Sequence, residues 1–223
     1  MKILDTLIDY WYALRAQVRS FGNTPTPHEW LSKDNALGDV ILIAGLYERW
    51  HFLKPLGEKL HDAGYRVHVI EAIRLNRERI DIETEKLNSY LEDKQLVDVV
   101  IVSHSKGGMV GLNYLLDKEE GSRVKKLIAI AAPFSGSTIG RIIRFKAVRE
   151  LLPHQEAIKR ISSHKSIRNL NIISLYPNYD NHVWHAKGSL LEGATNVGHK
   201  VRGHHRVLFD DEVHSRVIAE VQK

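Results

Sequence analysis

Residues 98–108 of this chain, DVVIVSHSKGG, join a short apolar run to a polar turn that contains glycine. The run 98–102 is rich in β-branched residues, which favour a buried strand. Helical periodicity follows over 107–118, so a strand, a tight turn and a helix are predicted in immediate succession. The residues two before and two after Ser105 are Ser103 and Gly107, and a very sharp turn requires such small side chains.

The alternation of strand and helix extends in both directions from this stretch. Apolar runs of five or six residues predict strands at Asp39–Ala44, Arg66–Ile70, Asp98–Val102, Lys126–Ala131 and Asn171–Tyr176, with a short sixth strand within 195–202. Helical patterns are found at 3–21, His51–Ala63, Ile80–Lys94, Gly107–Lys118 and Asp211–Val221, and a basic, irregularly helical segment spans 139–169. This pattern predicts an α/β fold, a mostly parallel sheet of about six strands with helices on both faces.

Composition excludes several classes of protein. The chain has 223 residues, of which 43% are hydrophobic, enough for one ordinary domain with a real core. It has no cysteine, which excludes a disulfide scaffold, a thiolate metal site and a cysteine nucleophile. The net charge of +5 permits contact with anionic lipid, but no nucleic-acid-binding module is recognisable, so we expect no nucleic-acid partner.

The N-terminal segment predicts an amphipathic helix. Its apolar residues recur at spacings of three and four: Ile3, Leu4, Leu7, Ile8, Trp11, Leu14, Val18 and Phe21. Charged residues interrupt it, so it is not a signal peptide, and a cytoplasmic location is expected. Gly22, Asn23, Pro25 and Pro27 end the helix, which suggests an N-terminal helix and linker over 1–38 and a main domain over 39–223.

The position of this helix stays open between two arrangements. It packs on the domain with its apolar face covered, or it lies on a membrane surface with Trp11 at the interface. Packing is favoured, because Asp5 and Asp9 would be repelled by an anionic surface. Peripheral contact with a membrane is the alternative.

The turn at Ser105 predicts nucleophilic chemistry. It resembles a nucleophile elbow, in which a strained turn lifts the serine hydroxyl above the carboxyl ends of the strands. The alternative is a phosphate-binding turn, but no G-x-x-x-x-G-K-[ST] motif is present. A serine nucleophile needs a base and an acid that orients the base. Asp180, just after the fifth strand, is the candidate acid, and His204 or His205 is the candidate base.

Residues 39–221 resemble the α/β-hydrolase superfamily, in particular small bacterial lipases and esterases, and also actinobacterial α/β-hydrolases of unassigned substrate. The likeness rests on five stretches. They are the first core strand and its loop at Val40–Leu46, the elbow at Val97–Gly108, the stretch LIAIAAPFSGS at Leu127–Ser137, the acid loop at Tyr179–Val183 and the C-terminal pattern at Leu190–Val213. The resemblance implies Ser105 as nucleophile, Asp180 as acid and His204 as base. It also implies that the backbone amides of Leu46 and Lys106 form the oxyanion hole.

Other features have less specific interpretations. His182 and His185, with His199, His204 and His205 nearby in sequence, imitate a metal cluster but lack a ligand spacing such as H-E-x-x-H. The segment 139–169 is expected to form a small cap, in which Ile139, Ile142, Ile143 and Phe145 lie among basic residues. Lys106 stands where lipases often carry Met or Gln, and it either favours an anionic acyl substrate or points to solvent.

These observations predict a serine hydrolase that cleaves carboxylic esters, with a small-molecule or lipid ester as substrate and no cofactor or metal. The alternatives are an acyltransferase that uses the same triad and a non-catalytic binding protein of the same fold.

Overall fold

The computed structural model describes residues 2–21, 25–118, 122–137, 146–183 and 188–223. Six strands form one parallel sheet in the order β2-β1-β3-β4-β5-β6. The strands are β1 (Asp39–Ile43), β2 (Arg66–Val69), β3 (Val99–His104), β4 (Val124–Ile130), β5 (Ile172–Tyr179) and β6 (Thr195–Arg202). The predicted α/β fold with a parallel sheet of about six strands is therefore confirmed.

Helices cover both faces of this sheet. They are α1 (Lys2–Ser20), α2 (Lys54–Asp62), α3 (Ile80–Asp93), α4 (Lys106–Asp117), α5 (Lys146–Arg149), α6 (Glu156–Ser162) and α7 (Asp211–Val221). The strand side chains alternate between two cores: Ile41 and Ile43 join the core that contains residues of α3 and α4, whereas Val40 and Leu42 join the core of α2 and α7. This two-residue period is the geometry expected of strands that are buried on both faces.

Two predicted elements differ from the observed ones. The predicted helix His51–Ala63 is a 3₁₀ turn at Trp50–Phe52 followed by α2, because Leu53 leaves helical geometry and Pro55 suits the first turn of a new helix. The fifth strand does not end at Tyr176 but continues to Tyr179, since Pro177 and Tyr179 still pair with β6.

The extension of β5 positions two loops side by side. Tyr179 of β5 pairs with Arg202 of β6, and the amide of Gly203 donates a hydrogen bond of 2.7 Å to the Tyr179 carbonyl. Gly203 has φ +128°, a conformation that glycine adopts without strain. Asp180 and His204 therefore leave adjacent strands at the same edge of the sheet.

Helix α1 packs on the domain, but through the opposite face to the one expected. Its inner face is largely polar: Asp9 and Ser20 are buried beside Ala16, Asp5 pairs with Arg202, and the Thr6 hydroxyl lies 2.9 Å from the Tyr179 hydroxyl. Most of its large apolar side chains are exposed, so the expectation that the apolar face would be covered is wrong for the described chain. The polar side chains find partners inside, and this accounts for the reversal.

Several sequence predictions lie outside the described residues. These are the helix stop at Gly22 and Asn23, the apolar cap positions Ile139, Ile142, Ile143 and Phe145, and His185. The rest of the predicted cap segment contains α5, α6 and a 3₁₀ turn at Lys165–Asn169. None of the helices described here has the length and apolar character that a membrane span requires.

Candidate active site

Ser105 occupies a strained turn between β3 and α4. Its φ of 49° and ψ of −121° lie outside the conformations that non-glycine residues usually adopt. The Ser105 amide donates to the Ile130 carbonyl of the neighbouring strand at 2.9 Å. A Cβ at Gly107 would lie 2.4 Å from the Ile43 carbonyl oxygen, and one at Gly108 would lie 2.5 Å from the Ala132 Cβ. The turn is therefore closely packed, and glycine is required at 107.

Three side chains form a continuous hydrogen-bonded series at this turn. The Ser105 hydroxyl lies 3.0 Å from His204 Nε2, and His204 Nδ1 lies 2.9 Å from Asp180 Oδ2 and 3.1 Å from Asp180 Oδ1. Asp180 Oδ1 also accepts from the amides of His182 and Val183, at 2.8 and 2.7 Å. The structure thus brings the predicted nucleophile, base and acid together in that order.

The electrostatic interaction between Asp180 and His204 makes the His204 imidazole more basic. Burial raises the pKa of the Asp180 carboxyl, but the His204 imidazole and the two amides lower it more, so the net pKa is below its usual value. Burial lowers the pKa of His204, but the Asp180 carboxylate outweighs burial, and the net pKa lies above the ordinary value of 6.5. Asp180 is therefore ionised near neutral pH, and His204 is a stronger base than a free imidazole.

The two amides expected at the oxyanion hole lie near Ser105. Lys106 directly follows it, and Leu46 lines the same cavity. Neither amide donates a hydrogen bond to another residue that the structure describes. The loop that carries Leu46 is fixed by Glu48, whose carboxylate accepts from the Gly45 amide at 2.8 Å.

The Lys106 side chain differs from both sequence interpretations. It is fully buried, so it does not point to solvent, and it does not line the cavity beside Ser105. Its ammonium group donates to the carbonyls of Asn76, at 3.0 Å, and Glu78. The Asn76 side-chain amide in turn donates to the Ala44 carbonyl at 2.8 Å. Lys106 therefore supports the loop after β2, and a role in selecting an anionic acyl group is contradicted by its position.

A buried, hydrogen-bonded pair of Glu48 and His104 supports the His204 loop, and the sequence did not predict it. His104 Nδ1 lies 2.7 Å from Glu48 Oε2, and His104 Nε2 lies 3.0 Å from the His204 carbonyl oxygen. Burial raises the pKa of Glu48, but the neighbouring histidines lower it more, to about 2. This group links the loop after β1 to the loop of His204. A polar residue at 104, between the small residues of the turn, was the available signal.

Asp9 of helix α1 also contacts the loop of the two histidines, and the sequence did not predict this contact. Asp9 is buried and accepts from the amides of His205, at 2.7 Å, and Arg206, at 2.8 Å, and its other oxygen lies 3.0 Å from His205 Nδ1. The ring of His205 is thus held by Asp9, whereas His204 is the histidine that meets Ser105. The signal was a polar stripe on the helix that contains Asp5 and Asp9, four residues apart.

One group of side chains has the spacing that a metal ion would require. Within the described ranges, only Asp9, His182 and His205 bring three suitable atoms within 4.8 Å of one another. The Asp9 carboxylate is already occupied by three hydrogen bonds, and the His182 ring stacks on His204 with ring centroids 4.5 Å apart. His199 lies on β6, with Nδ1 3.5 Å from Glu212 Oε1. These contacts favour a hydrogen-bonded support of the loop over a metal site.

A cavity of about 220 Å³ opens above Ser105. Its walls are largely apolar, and Ser105 and His204 are among its lining residues. The apolar lining residues are Leu46, Pro133, Val148, Leu151 and Val183.

Comparison with solved structures identifies the fold. A lipase of Bacillus licheniformis, BlEst2 in its mature form, superposes with a TM-score of 0.65 at 16% sequence identity over 90% of this chain and 96% of that one. A monoacylglycerol lipase of Paleococcus ferrophilus gives a TM-score of 0.63 at 15% identity, covering 86% and 97% of the two chains. A bromoperoxidase of Bacillus anthracis gives 0.61 at 15% identity, covering 86% and 94%. No protein-family model matches the sequence, and no curated protein matches it with significance.

These relatives are all α/β-hydrolase fold proteins, and this chain has the α/β-hydrolase fold. The predicted fold is therefore confirmed. Because the sequence identities are low, the comparison establishes the architecture alone.

Proposed function

We propose that this protein is a serine hydrolase that cleaves carboxylic esters through a covalent acyl-enzyme. The observation that carries the proposal is the series Ser105, His204 and Asp180, joined by hydrogen bonds of 3.0 and 2.9 Å at a left-handed turn. A serine hydroxyl is inert without such a base and a third group that orients the base.

The chemistry follows from these contacts. His204 Nε2 takes the proton of the Ser105 hydroxyl as its oxygen attacks the ester carbonyl carbon. Asp180 holds the imidazole in the required tautomer and stabilises it when it becomes charged. His204 then returns the proton to the departing alcohol, which leaves an acyl group on Ser105. A water molecule, deprotonated by His204, attacks that acyl group, and His204 gives the proton to the departing Ser105 oxygen as the carboxylic acid is released.

The charge that develops on the carbonyl oxygen needs donors that are in place beforehand. The amides of Leu46 and Lys106 are the proposed donors, and each such donor contributes roughly 10²–10³-fold to turnover in comparable enzymes. Glu48 supports this role, because its carboxylate fixes Gly45, the residue before Leu46.

The cavity indicates the class of substrate. Its apolar walls suit the acyl chain of an ester. The solved relatives that are named as lipases and carboxylesterases support ester hydrolysis as the reaction. The proposed reaction requires no cofactor.

A panel of p-nitrophenyl esters of increasing acyl length tests the proposal. We expect hydrolysis of at least one member of the panel, and a loss of at least about 10³-fold in kcat in Ser105→Ala, with unchanged folding by circular dichroism. Ester hydrolysis that persists near the wild-type rate in Ser105→Ala would exclude the proposal.

Product analysis separates hydrolysis from the alternatives. With a small alcohol added to the assay, a hydrolase releases mainly the carboxylic acid, whereas an acyltransferase forms mainly the new ester. A protein that binds esters without turning over any member of the panel would be a binding protein of the same fold.

A further inference from the structure

Helix α1 presents an unusual surface to solvent. Seven large apolar side chains are exposed along it and an eighth, Phe21, directly follows it, with exposed fractions from 47% for Tyr10 to 79% for Ile3; the others are Leu4, Leu7, Trp11, Leu14 and Val18. Successive members are separated mostly by three or four residues, so they share one side of the helix. None of the residues that the structure describes covers this face. A contiguous apolar surface of this kind marks an interaction site.

The charged side chains of α1 that reach solvent beside this face are cationic. Both acidic residues of α1 point inward: Asp9 is buried against His205 and Arg206, and Asp5 pairs with Arg202. Arg15 and Arg19 are exposed, and the Arg15 guanidinium lies 5.5 Å from the centre of the Trp11 ring. The carboxylates that would repel an anionic surface are therefore neutralised inside the protein, while the cations remain outside.

The same helix borders the candidate active site. The ring of Tyr10 lies 5.7 Å from the ring of His182, and His182 lines the cavity above Ser105. A surface that covered the apolar face of α1 would therefore lie beside this cavity.

We propose that the exposed face of α1 docks on an anionic lipid bilayer, with the helix axis in the plane of the headgroups. Apolar side chains enter the boundary of the acyl chains, Trp11 and Tyr10 lie at the interface, and the arginines meet the lipid phosphates. A second copy of the chain fits less well, because it would bring the same arginines and no exposed α1 carboxylate to the contact. The proposal concerns binding, and it does not depend on the proposed esterase activity.

Vesicle binding of the full chain, measured without substrate, tests this proposal. Vesicles of phosphatidylcholine alone are compared with vesicles that also contain phosphatidylglycerol, by co-sedimentation and by the emission of Trp11, with Trp11→Phe as the spectral reference. We expect binding to the anionic vesicles with a blue shift that Trp11→Phe removes. We also expect binding to weaken as salt is added.

Paired variants distinguish binding through this face from non-specific hydrophobic adsorption of the protein to vesicles. Leu7→Gln/Leu14→Gln removes two side chains that are 62% and 61% exposed, and Leu37→Gln/Val97→Gln removes two that are 68% and 61% exposed elsewhere. The first variant is expected to lower vesicle partitioning at least about tenfold, and the second to leave it unchanged. Arg15→Gln and Arg19→Gln should each lower binding to anionic vesicles about fivefold. Thermal unfolding checks that each variant is folded.

Three outcomes overturn the proposal. They are no binding to anionic vesicles by the folded protein, equal loss in the two double variants, and a concentration-dependent dimer that Leu7→Gln/Leu14→Gln dissociates without any vesicle binding. The last result would assign the face to a second copy. Because no catalytic step is measured, failure here leaves the esterase proposal to its own test.

Discussion

Two aspartate–histidine pairs lie next to each other in this protein, on consecutive histidines. Asp180 and Asp9 each accept hydrogen bonds from two backbone amides. Their carboxylates also lie at similar distances from a histidine Nδ1, 2.9 Å for Asp180 and His204 and 3.0 Å for Asp9 and His205. The pairs differ at the other ring nitrogen. His204 Nε2 meets the Ser105 hydroxyl at 3.0 Å, whereas His205 Nε2 faces the Glu48 carboxylate at 3.5 Å.

This difference separates the arrangement that we propose to be reactive from the one that we expect to support the loop. A carboxylate that orients a histidine is found in both pairs, so it does not by itself define a catalytic group. The partner of Nε2 decides: a hydroxyl can give up a proton, and an ionised carboxylate cannot. We therefore expect the Asp180 pair to act on Ser105 and the Asp9 pair to hold the loop in which His204 lies.

The largest expected effect comes from the two histidines. His204→Ala removes the base, and we expect kcat to fall by about 10⁴-fold or more. His205→Ala removes one hydrogen bond to Asp9 and should leave kcat within about tenfold of wild type. Steady-state hydrolysis of a p-nitrophenyl ester measures both. The reverse order would mean that His205 is the base.

Substitution of Asp180, the proposed acid, should give the next largest loss of kcat. Asp180→Asn keeps the size of the side chain but favours the wrong imidazole tautomer, so kcat should fall by roughly 10³–10⁴-fold while Ser105 remains in place. Stopped-assay kinetics with high enzyme concentration can measure the residual rate. If this substitution is silent, the acid lies elsewhere.

Asp9→Asn affects mainly the stability. The substitution removes the negative charge that strengthens the hydrogen bonds from the amides of His205 and Arg206, and the free energy of unfolding should fall by about 1.5–3 kcal/mol. Urea unfolding measures it, and Asp5→Asn, at the less buried ion pair with Arg202, is the matched control with a smaller loss. Equal losses in the two variants would show that Asp9 has no special part in supporting the loop.

The smallest expected effect is on the pH dependence of kcat/KM, which compares the contributions of Asp180 and Asp9 to the pKa of His204. Hydrolysis requires neutral His204, so kcat/KM should fall as pH drops through the His204 pKa, with a midpoint above 6.5. Removing the charge of Asp180 should move that midpoint to lower pH. Asp9→Asn should move it in the same direction but less, because Asp9 contributes a smaller part of the shift. A wild-type midpoint below 6.5 would contradict this electrostatic account.

The sequence allowed the fold and the three central side chains to be predicted for a local reason. In a parallel sheet the residues that follow the strands meet at one end of the sheet, so Ser105, Asp180 and the pair of His204 and His205 could be located from strand ends. The choice between His204 and His205 needed the resemblance to a known family, since both follow the same strand.

The supporting residues could not be predicted in this way. Glu48 and His104 lie 56 positions apart, and Asp9 and His205 lie 196 apart, and no sequence period connects such partners. For α1 the pattern gave the two faces of the helix but not which face packs. The pattern predicts that the polar face meets solvent, whereas its carboxylates face the domain because each finds cations or amides there.

The central claim is that Ser105 is a nucleophile activated by His204, and covalent labelling tests it most directly. The protein is treated with a fluorophosphonate at neutral pH, and the modified residue is located by mass spectrometry of its peptides. We predict one phosphonyl group on Ser105 in the wild-type protein and in His205→Ala, and much slower labelling in His204→Ala. A folded protein that remains unlabelled at Ser105, or that is labelled equally fast without His204, would contradict the account.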